Sequence, residues 1–344
     1  MGTVVKHTIL KLRLPVSAML AFVLFSLSSC FKEKPIAPPN NQGIGQTFVV
    51  PMGPDYNDQF FYSLESNSII SQNDRLAYDL LFECKDNSYY IWLNTSKFMS
   101  VTKTNKTELK DVSSADTLGA DWKYELGEFN GDSNAIGQWW LPQGGLPVSE
   151  GKVYVINLGY DNELNPLGCI KMKVGDFTGS SYAITYERLD YDTLKKTKII
   201  TKDGSRNYCY FSFSGSGTVV NNIEPDKSMW DFCFTRYSVV FYDPYYLPYE
   251  VTGVLHNPSR VSAYMDSTVN FDSVDIADFD ISRLQSKRDA VGYDWKRYEL
   301  GTYTPKTWYV YFVKVDDDKF YKLRFLDFNK DGVKGYPTFE YFRL

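Results

Sequence analysis

Few residues in this chain are of types that do chemistry on their own. His7 and His256 are its only histidines, which leaves little room for imidazole-based catalysis or a histidine-rich metal centre. Its five cysteines are Cys30, Cys84, Cys169, Cys209 and Cys233, and no two form a Cys-x-x-Cys pair, so a zinc module has no ligand set to draw on. The last four lie in aromatic or apolar runs, where buried thiols and disulfides suit the sequence equally well. Asp327-Phe328-Asn329-Lys330-Asp331-Gly332 opens like a calcium loop. Its twelfth position is Thr338 rather than a bidentate glutamate and its flanks alternate like strands, so a tight hairpin turn is the better reading. Trp139-Trp140 presents indole faces on which a sugar ring could stack, the alternative being a plug between sheets. No nucleophile with a positioned base and no carboxylate pair at a defined spacing is evident, and the chain reads as a binding protein, not an enzyme.

The N-terminus carries its own chemistry. Lys6, Lys11 and Arg13 precede an apolar stretch from Val16 to Leu27, which is too short for an ordinary membrane span and ends in Ser28-Ser29-Cys30. A cationic front and a small-residue exit are the marks of a secretory signal. Leu27-Ser28-Ser29-Cys30 further resembles the bacterial lipobox, in which the cysteine is lipidated and becomes the first residue after cleavage. Residues 1–29 are therefore expected to leave as a signal peptide, with Cys30 as a lipid anchor. Residues 30–47, with Pro35, Pro38, Pro39, Gly43 and Gly45, are expected to form a flexible tether. Cleavage removes three of the 37 basic residues, leaving 34 against 42 acidic ones. The exported body is acidic and has no basic block with which to neutralise nucleic-acid phosphates.

The elements behind these residues read as β-strands. With Tyr 27, Phe 23 and Trp 7 in 344 residues, the chain has ample material for a large core or two ordinary ones. Self-similarity runs along the body. Tyr78-Asp79-Leu80-Leu81-Phe82 is answered by Trp230-Asp231-Phe232-Cys233-Phe234, and Asp121-Trp122-Lys123 by Asp294-Trp295-Lys296. Ile170-Lys171-Met172-Lys173-Val174 is answered by Tyr321-Lys322-Leu323-Arg324-Phe325. Phe60-Phe61-Tyr62 also has a counterpart in Tyr210-Phe211-Ser212, in the same order. Two homologous units are expected, at 48–190 and 205–344, with a polar join at 191–204. The pair at Ile170 and Tyr321 alternates apolar with cationic residues, the pattern of a strand with one buried face. The denser runs before them, Val153 to Leu158 and Trp308 to Val313, suit strands covered on both sides. One short helix is expected from Asp280 to Ala290, capped by Asp280. The class is all-β, built mainly of antiparallel meanders and hairpins.

The motifs Trp230-Asp231-Phe232-Cys233-Phe234-Thr235-Arg236-Tyr237, Asn270-Phe271-Asp272-Ser273-Val274, Asp294-Trp295 and the closing Phe320 to Tyr341 occur in an order that resembles the HmuY family. These are haem-binding lipoproteins displayed on the outer membrane of Bacteroidota. The resemblance covers the second unit nearly end to end and the first more faintly. It implies a β fold that holds haem, or a related porphyrin, between finger-like hairpins and passes it to an outer-membrane receptor. Family members ligate iron through His or Met on the hairpins after the Trp-Asp strand, here the stretch from Tyr245 to Asp272. On that basis Met265 and His256 are the candidate ligands, with Met99 as the counterpart of Met265 in the first unit. Tyr264, Tyr245 and Tyr246 are the candidate ring contacts. A glycan-binding or adhesive lipoprotein using Trp139 and Trp140 is the alternative.

Overall fold

The computed structural model describes residues 45–129, 131, 134–141, 145–189 and 194–344. The expected signal peptide, Cys30 and most of the tether lie outside the described residues.

The first strands are Gln46–Val49 (β1), Asp58–Ser63 (β2), Ser68–Asp74 (β3), Leu80–Glu83 (β4), Ile91–Leu93 (β5), Ser100–Lys103 (β6) and Lys123–Tyr124 (β7). Trp140–Leu141 (β8), Val148–Ser149 (β9), Val153–Asn157 (β10), Cys169–Val174 (β11), Ser181–Arg188 (β12), Lys196–Thr201 (β13), Tyr208–Ser212 (β14) and Thr218–Val220 (β15) follow. The last are Phe232–Phe241 (β16), Leu247–His256 (β17), Val261–Asp266 (β18), Lys296–Glu299 (β19), Thr302–Pro305 (β20), Val310–Val315 (β21), Lys319–Lys330 (β22) and Val333–Arg343 (β23). The fold is all-β, as the periodicity implied.

Four antiparallel sheets stack in the order β13-β12-β11-β10-β6-β7, β15-β14-β4-β5, β17-β16-β2-β3 and β1-β23-β22-β21-β18. The side chains fix that order. Leu80, Phe82 and Phe211 meet Ile156, Met172 and Ile184 of the six-stranded sheet. On the other face of the same inner strands, Leu81, Tyr208 and Tyr210 pack with Phe61, Cys233 and Leu255 of the next sheet. That sheet turns Phe60, Tyr62, Phe232 and Phe234 toward Val313, Leu323, Phe325 and Phe339 of the five-stranded one. Both inner sheets are thus apolar on both faces, which is why Phe60-Phe61-Tyr62 and Phe232-Cys233-Phe234 lack polar alternation.

In the outer sheets the alternation at Ile170 and Tyr321 holds, but the intervening cations are not simply solvated. Lys171 is buried, its amine donating to the Val112 carbonyl at 3.1 Å and lying 2.8 Å from the Glu187 carboxylate. Lys322 is buried likewise and donates to the Phe271 and Val274 carbonyls at 2.7 and 2.9 Å. Loops fold over both outer faces and place Leu109 and Val112, or Phe271 and Val274, on the strands beneath. The amines satisfy loop carbonyls that would otherwise be buried without partners.

Three local expectations are refined. The helix expected from Asp280 is one 3-10 turn, Ile281–Arg283, capped by the Asp280 side chain on the Ser282 N–H. It goes no further because Gln285 exchanges backbone hydrogen bonds with Ala263 of β18. The stretch read as a polar join contains β13, which pairs with β12 and exposes Thr197 and Ile199 along a sheet edge. Asp331 and Gly332 both take positive φ in a two-residue turn between β22 and β23, with Lys330 opposite Val333.

The two inner sheets each join strands from both halves of the chain. β14 pairs with β4, and β16 with β2. The same contacts recur at both junctions. Asp79 accepts the Phe213 N–H at 2.6 Å and Asp231 accepts the Leu64 N–H at 2.8 Å. Each carboxylate has a cation beside it, the buried Lys97 or the half-buried Arg260. Asn94 donates to the Tyr78 carbonyl and Asn257 to the Trp230 carbonyl, at 2.9 and 2.8 Å.

Candidate functional site

A cleft of about 1140 Å³ opens beside the five-stranded sheet, slightly larger than the usual range for ligand sites. Three hairpins wall it: the outer half of β16–β17, the β19–β20 pair, and the turn joining β22 to β23, with the segment Pro54 to Tyr56 closing the base. β16 and β17 are ten residues each and pair along their whole length, so their outer ends project past β2, which covers only Phe232 to Phe234.

Tyrosine dominates the lining: Tyr56, Tyr249, Tyr293, Tyr298 and Tyr303, together with Phe241. Tyr298 and Tyr303 lie across β19–β20 with ring centroids 4.8 Å apart, and Tyr303 meets Phe328 at 4.9 Å. Phe241 contacts Tyr249 at 5.6 Å and Tyr293 at 6.2 Å. Tyr249 and Tyr298 are 53% and 63% exposed, so much of their ring surface is open to a ligand. Tyr56 is buried, and its hydroxyl has no hydrogen-bond partner among the described residues.

Cations are set among these rings. Lys296 lies 4.2 Å from the Trp295 ring centroid and 4.9 Å from that of Phe328, and its amine donates to the Thr252 carbonyl. Burial pushes its pKa down to about 7, the Asp294 carboxylate offsetting the lost hydration only in part. Lys334 stands 5.3 Å from the Tyr56 ring, and Arg236 is paired with Glu250. The cleft therefore presents aromatic rings among polar groups, with Lys334 exposed at its edge, a combination that can take a planar aromatic ligand bearing carboxylates.

The residues singled out from sequence are not brought together here. His256 ends β17, fully buried, with its ring nitrogens facing the carbonyls of Asn257 and Lys287. Burial pushes its pKa down to about 4. It is neither on an exposed loop nor open to an iron atom. Met265 is a half-buried β18 residue packed on the core of the five-stranded sheet, and Met99 is buried in the core of the six-stranded one. Neither methionine lines the cleft. Tyr264 is buried against Phe312, stacked at 4.7 Å, under the Arg283 guanidinium. Tyr245 and Tyr246 are exposed at the tip of the β16–β17 hairpin, outside the cleft lining. Trp139 is buried and donates its indole N–H to the Tyr89 carbonyl at 2.8 Å, so it offers no open face to a sugar. Trp140 is half-buried and makes edge contacts with Tyr89 and Tyr90.

Tyr249, Tyr293, Tyr298, Tyr303 and Lys296 were not among the candidates. The signal available was a tyrosine at every fifth position from 293 to 303, in a segment whose spacing says nothing of which other hairpins it faces.

Residues 205–341 match the model of the HmuY family, described as HmuY protein, and every wall of the cleft except Pro54 to Tyr56 falls within that stretch. Its resemblance to this family is thereby shown. No curated protein matches the chain. Among solved structures the chain is similar to apo PinO from Porphyromonas gingivitis, at 12% identity over 88% of this chain and 98% of that one, with a TM-score of 0.24. It is similar also to the apo HmuY analog of Tannerella forsythia, at 14% identity over 39% and 86% of the two chains, TM-score 0.16. A third is a candidate lipoprotein of Bacteroides fragilis, at 16% identity over 49% and 91%, TM-score 0.22.

Proposed function

We propose that this chain is a cell-envelope lipoprotein of the HmuY type that binds haem or a related porphyrin, without catalysis, in the tyrosine-lined cleft. In this reading it is anchored through Cys30 to the outer membrane, exposed at the cell surface, and yields its cargo to an outer-membrane uptake receptor. Its body is a duplicated unit, 48–190 and 205–344, of which the second builds most of the site. The observation that carries the reading is the cleft itself: the open rings of Tyr249 and Tyr298 on two facing hairpins, with Lys334 on a third at the margin and Lys296 set among the rings, inside the stretch that matches the family.

The porphyrin plane fits these residues; the His and Met ligand set implied by the resemblance does not, because neither residue type lines the cleft. The donor the wall offers to a ferric ion is a tyrosine phenolate. Binding then rests chiefly on ring stacking and on pairing of the porphyrin carboxylates with lysine. Metal-free protoporphyrin should accordingly bind within about tenfold of haemin, and Tyr298→Ala should weaken both by about tenfold, the scale of one lost ring contact. Absorbance and fluorescence titrations check this. A loss confined to haemin would place the binding energy on the iron instead.

A glycan-binding or adhesive role is the second reading. It is favoured by the exposed rings of Tyr242, Tyr245, Tyr246 and Tyr249 along one hairpin, which suit the C–H faces of sugars as well as a porphyrin. Retardation in polysaccharide affinity gels, lost in Tyr249→Ala and unaffected by Trp139→Phe, would support it over the porphyrin reading.

A further inference from the structure

We propose that Cys84 and Cys209 form a disulfide when the chain folds in the presence of a disulfide donor, joining the end of β4 covalently to β14. Their sulfur atoms lie 3.2 Å apart, Cys209 on β14 and Cys84 one residue past the end of its antiparallel neighbour β4. Cys209 is opposite Phe82, and the Cys84 N–H donates to the Asn207 carbonyl at 2.8 Å, so backbone pairing holds both residues in place. Both side chains point into the same core. A disulfide has its sulfurs about 2 Å apart, so closure needs a shift of about 1 Å, within reach of small side-chain rotations. The other described cysteines are elsewhere: Cys169 packs with the cluster outside the six-stranded sheet and Cys233 sits between the two inner sheets.

The chemistry is thiol exchange. One cysteine thiolate attacks a sulfur of a small disulfide such as oxidised glutathione and expels one glutathione thiolate. The second cysteine thiolate then attacks the mixed disulfide and expels the other. Two protons leave the cysteines, and two electrons pass to the donor, which ends as two thiols. Cys84 and Cys209 are 4% and 6% exposed, so the exchange belongs to the folding chain, before the core closes over them. The oxidising environment of an exported protein supplies such donors. The bond would connect residues 125 positions apart and tie the first half of the chain to the second. Long closed loops are those in which a cross-link restricts the unfolded chain most.

The test is a cysteine map of the full chain, reduced and denatured in detergent, refolded with or without oxidised glutathione, then alkylated and digested without reductant. With the donor, mass spectrometry should find a linked peptide pair carrying Cys84 and Cys209, lighter by two hydrogen atoms than the free peptides together, with Cys169 and Cys233 alkylated. Alkylation of both Cys84 and Cys209 after refolding with the donor, or a link through Cys169 or Cys233, would overturn the proposal. Cys84→Ser should lose the linked pair and leave Cys209 alkylated or carrying glutathione. Should that variant fail to fold, the wild-type map decides alone.

Discussion

His256 enters the native state as a neutral imidazole, closed in by the Asn257 and Lys287 carbonyls. Its pKa is lowered to about 4 by burial, whereas an unfolded histidine titrates near about 6.5. Between those values the unfolded chain binds the extra proton. The stability His256 contributes is therefore whole above about pH 6.5 and is lost as pH falls toward 4, by up to about 3 kcal/mol. Urea denaturation of the wild type and of His256→Gln, at pH 7 and pH 4.5, isolates this contribution from that of other groups. The wild type should lose more stability than the variant on acidification; equal losses would contradict the placement. A lone histidine beside Asn257-Pro258 looks from the sequence like a loop residue or a ligand, because nothing local reveals that the Lys287 segment passes over it. The same limit hid Lys171 and Lys322, whose spacing marks them as outward-facing while distant loops bury them.

At the scale of elements, Asp79 and Asp231 act as clamps. Each follows an aromatic residue at the head of an inner strand and accepts a backbone N–H from the end of a strand supplied by the other half of the chain. Asp79→Ala would free the Phe213 N–H and leave Lys97 buried without its anion, at a cost of about 3–5 kcal/mol, measurable by urea denaturation. A loss below about 1 kcal/mol would show that the pair is solvated. Gly253 gives a second element-level test. A Cβ there would come within 2.5 Å of the Gly292 carbonyl oxygen, where β17 bridges to the loop leading into the cleft wall. Gly253→Ala should cost about 1–3 kcal/mol and loosen that wall. The strands themselves were legible: β11 and β22 from alternation, β10 and β21 from unbroken apolar runs. The Asp280 cap was legible too, but the length of its helix was not, since Gln285 is claimed by β18.

Among the described residues the four large sheets enclose three shared cores between them, and the two inner sheets draw strands from both halves. Neither half can leave without exposing the cores of both, so unfolding should be one cooperative transition despite the size. Tryptophan fluorescence reports Trp139 in the first core, Trp230 in the middle one and Trp295 in the last. Its urea midpoint should coincide with that of far-ultraviolet circular dichroism, and two separated transitions would contradict the interlocked arrangement. The self-similar segments on which a repeat was expected were visible in the sequence. The pairing of strands across the two halves was not, because similarity between segments says nothing of which strands lie side by side. The cleft follows from that assembly: long hairpins on one flank of the five-stranded sheet converge around tyrosine rings and lysines. The central claim is that this cleft holds a porphyrin, and the most direct measurement is a titration of haemin into the folded chain, followed by the Soret band in both redox states. A saturable shift at micromolar protein, weakened by Tyr298→Ala and unchanged by Met99→Leu, is the result expected. A spectrum that stays that of free haemin throughout would contradict it.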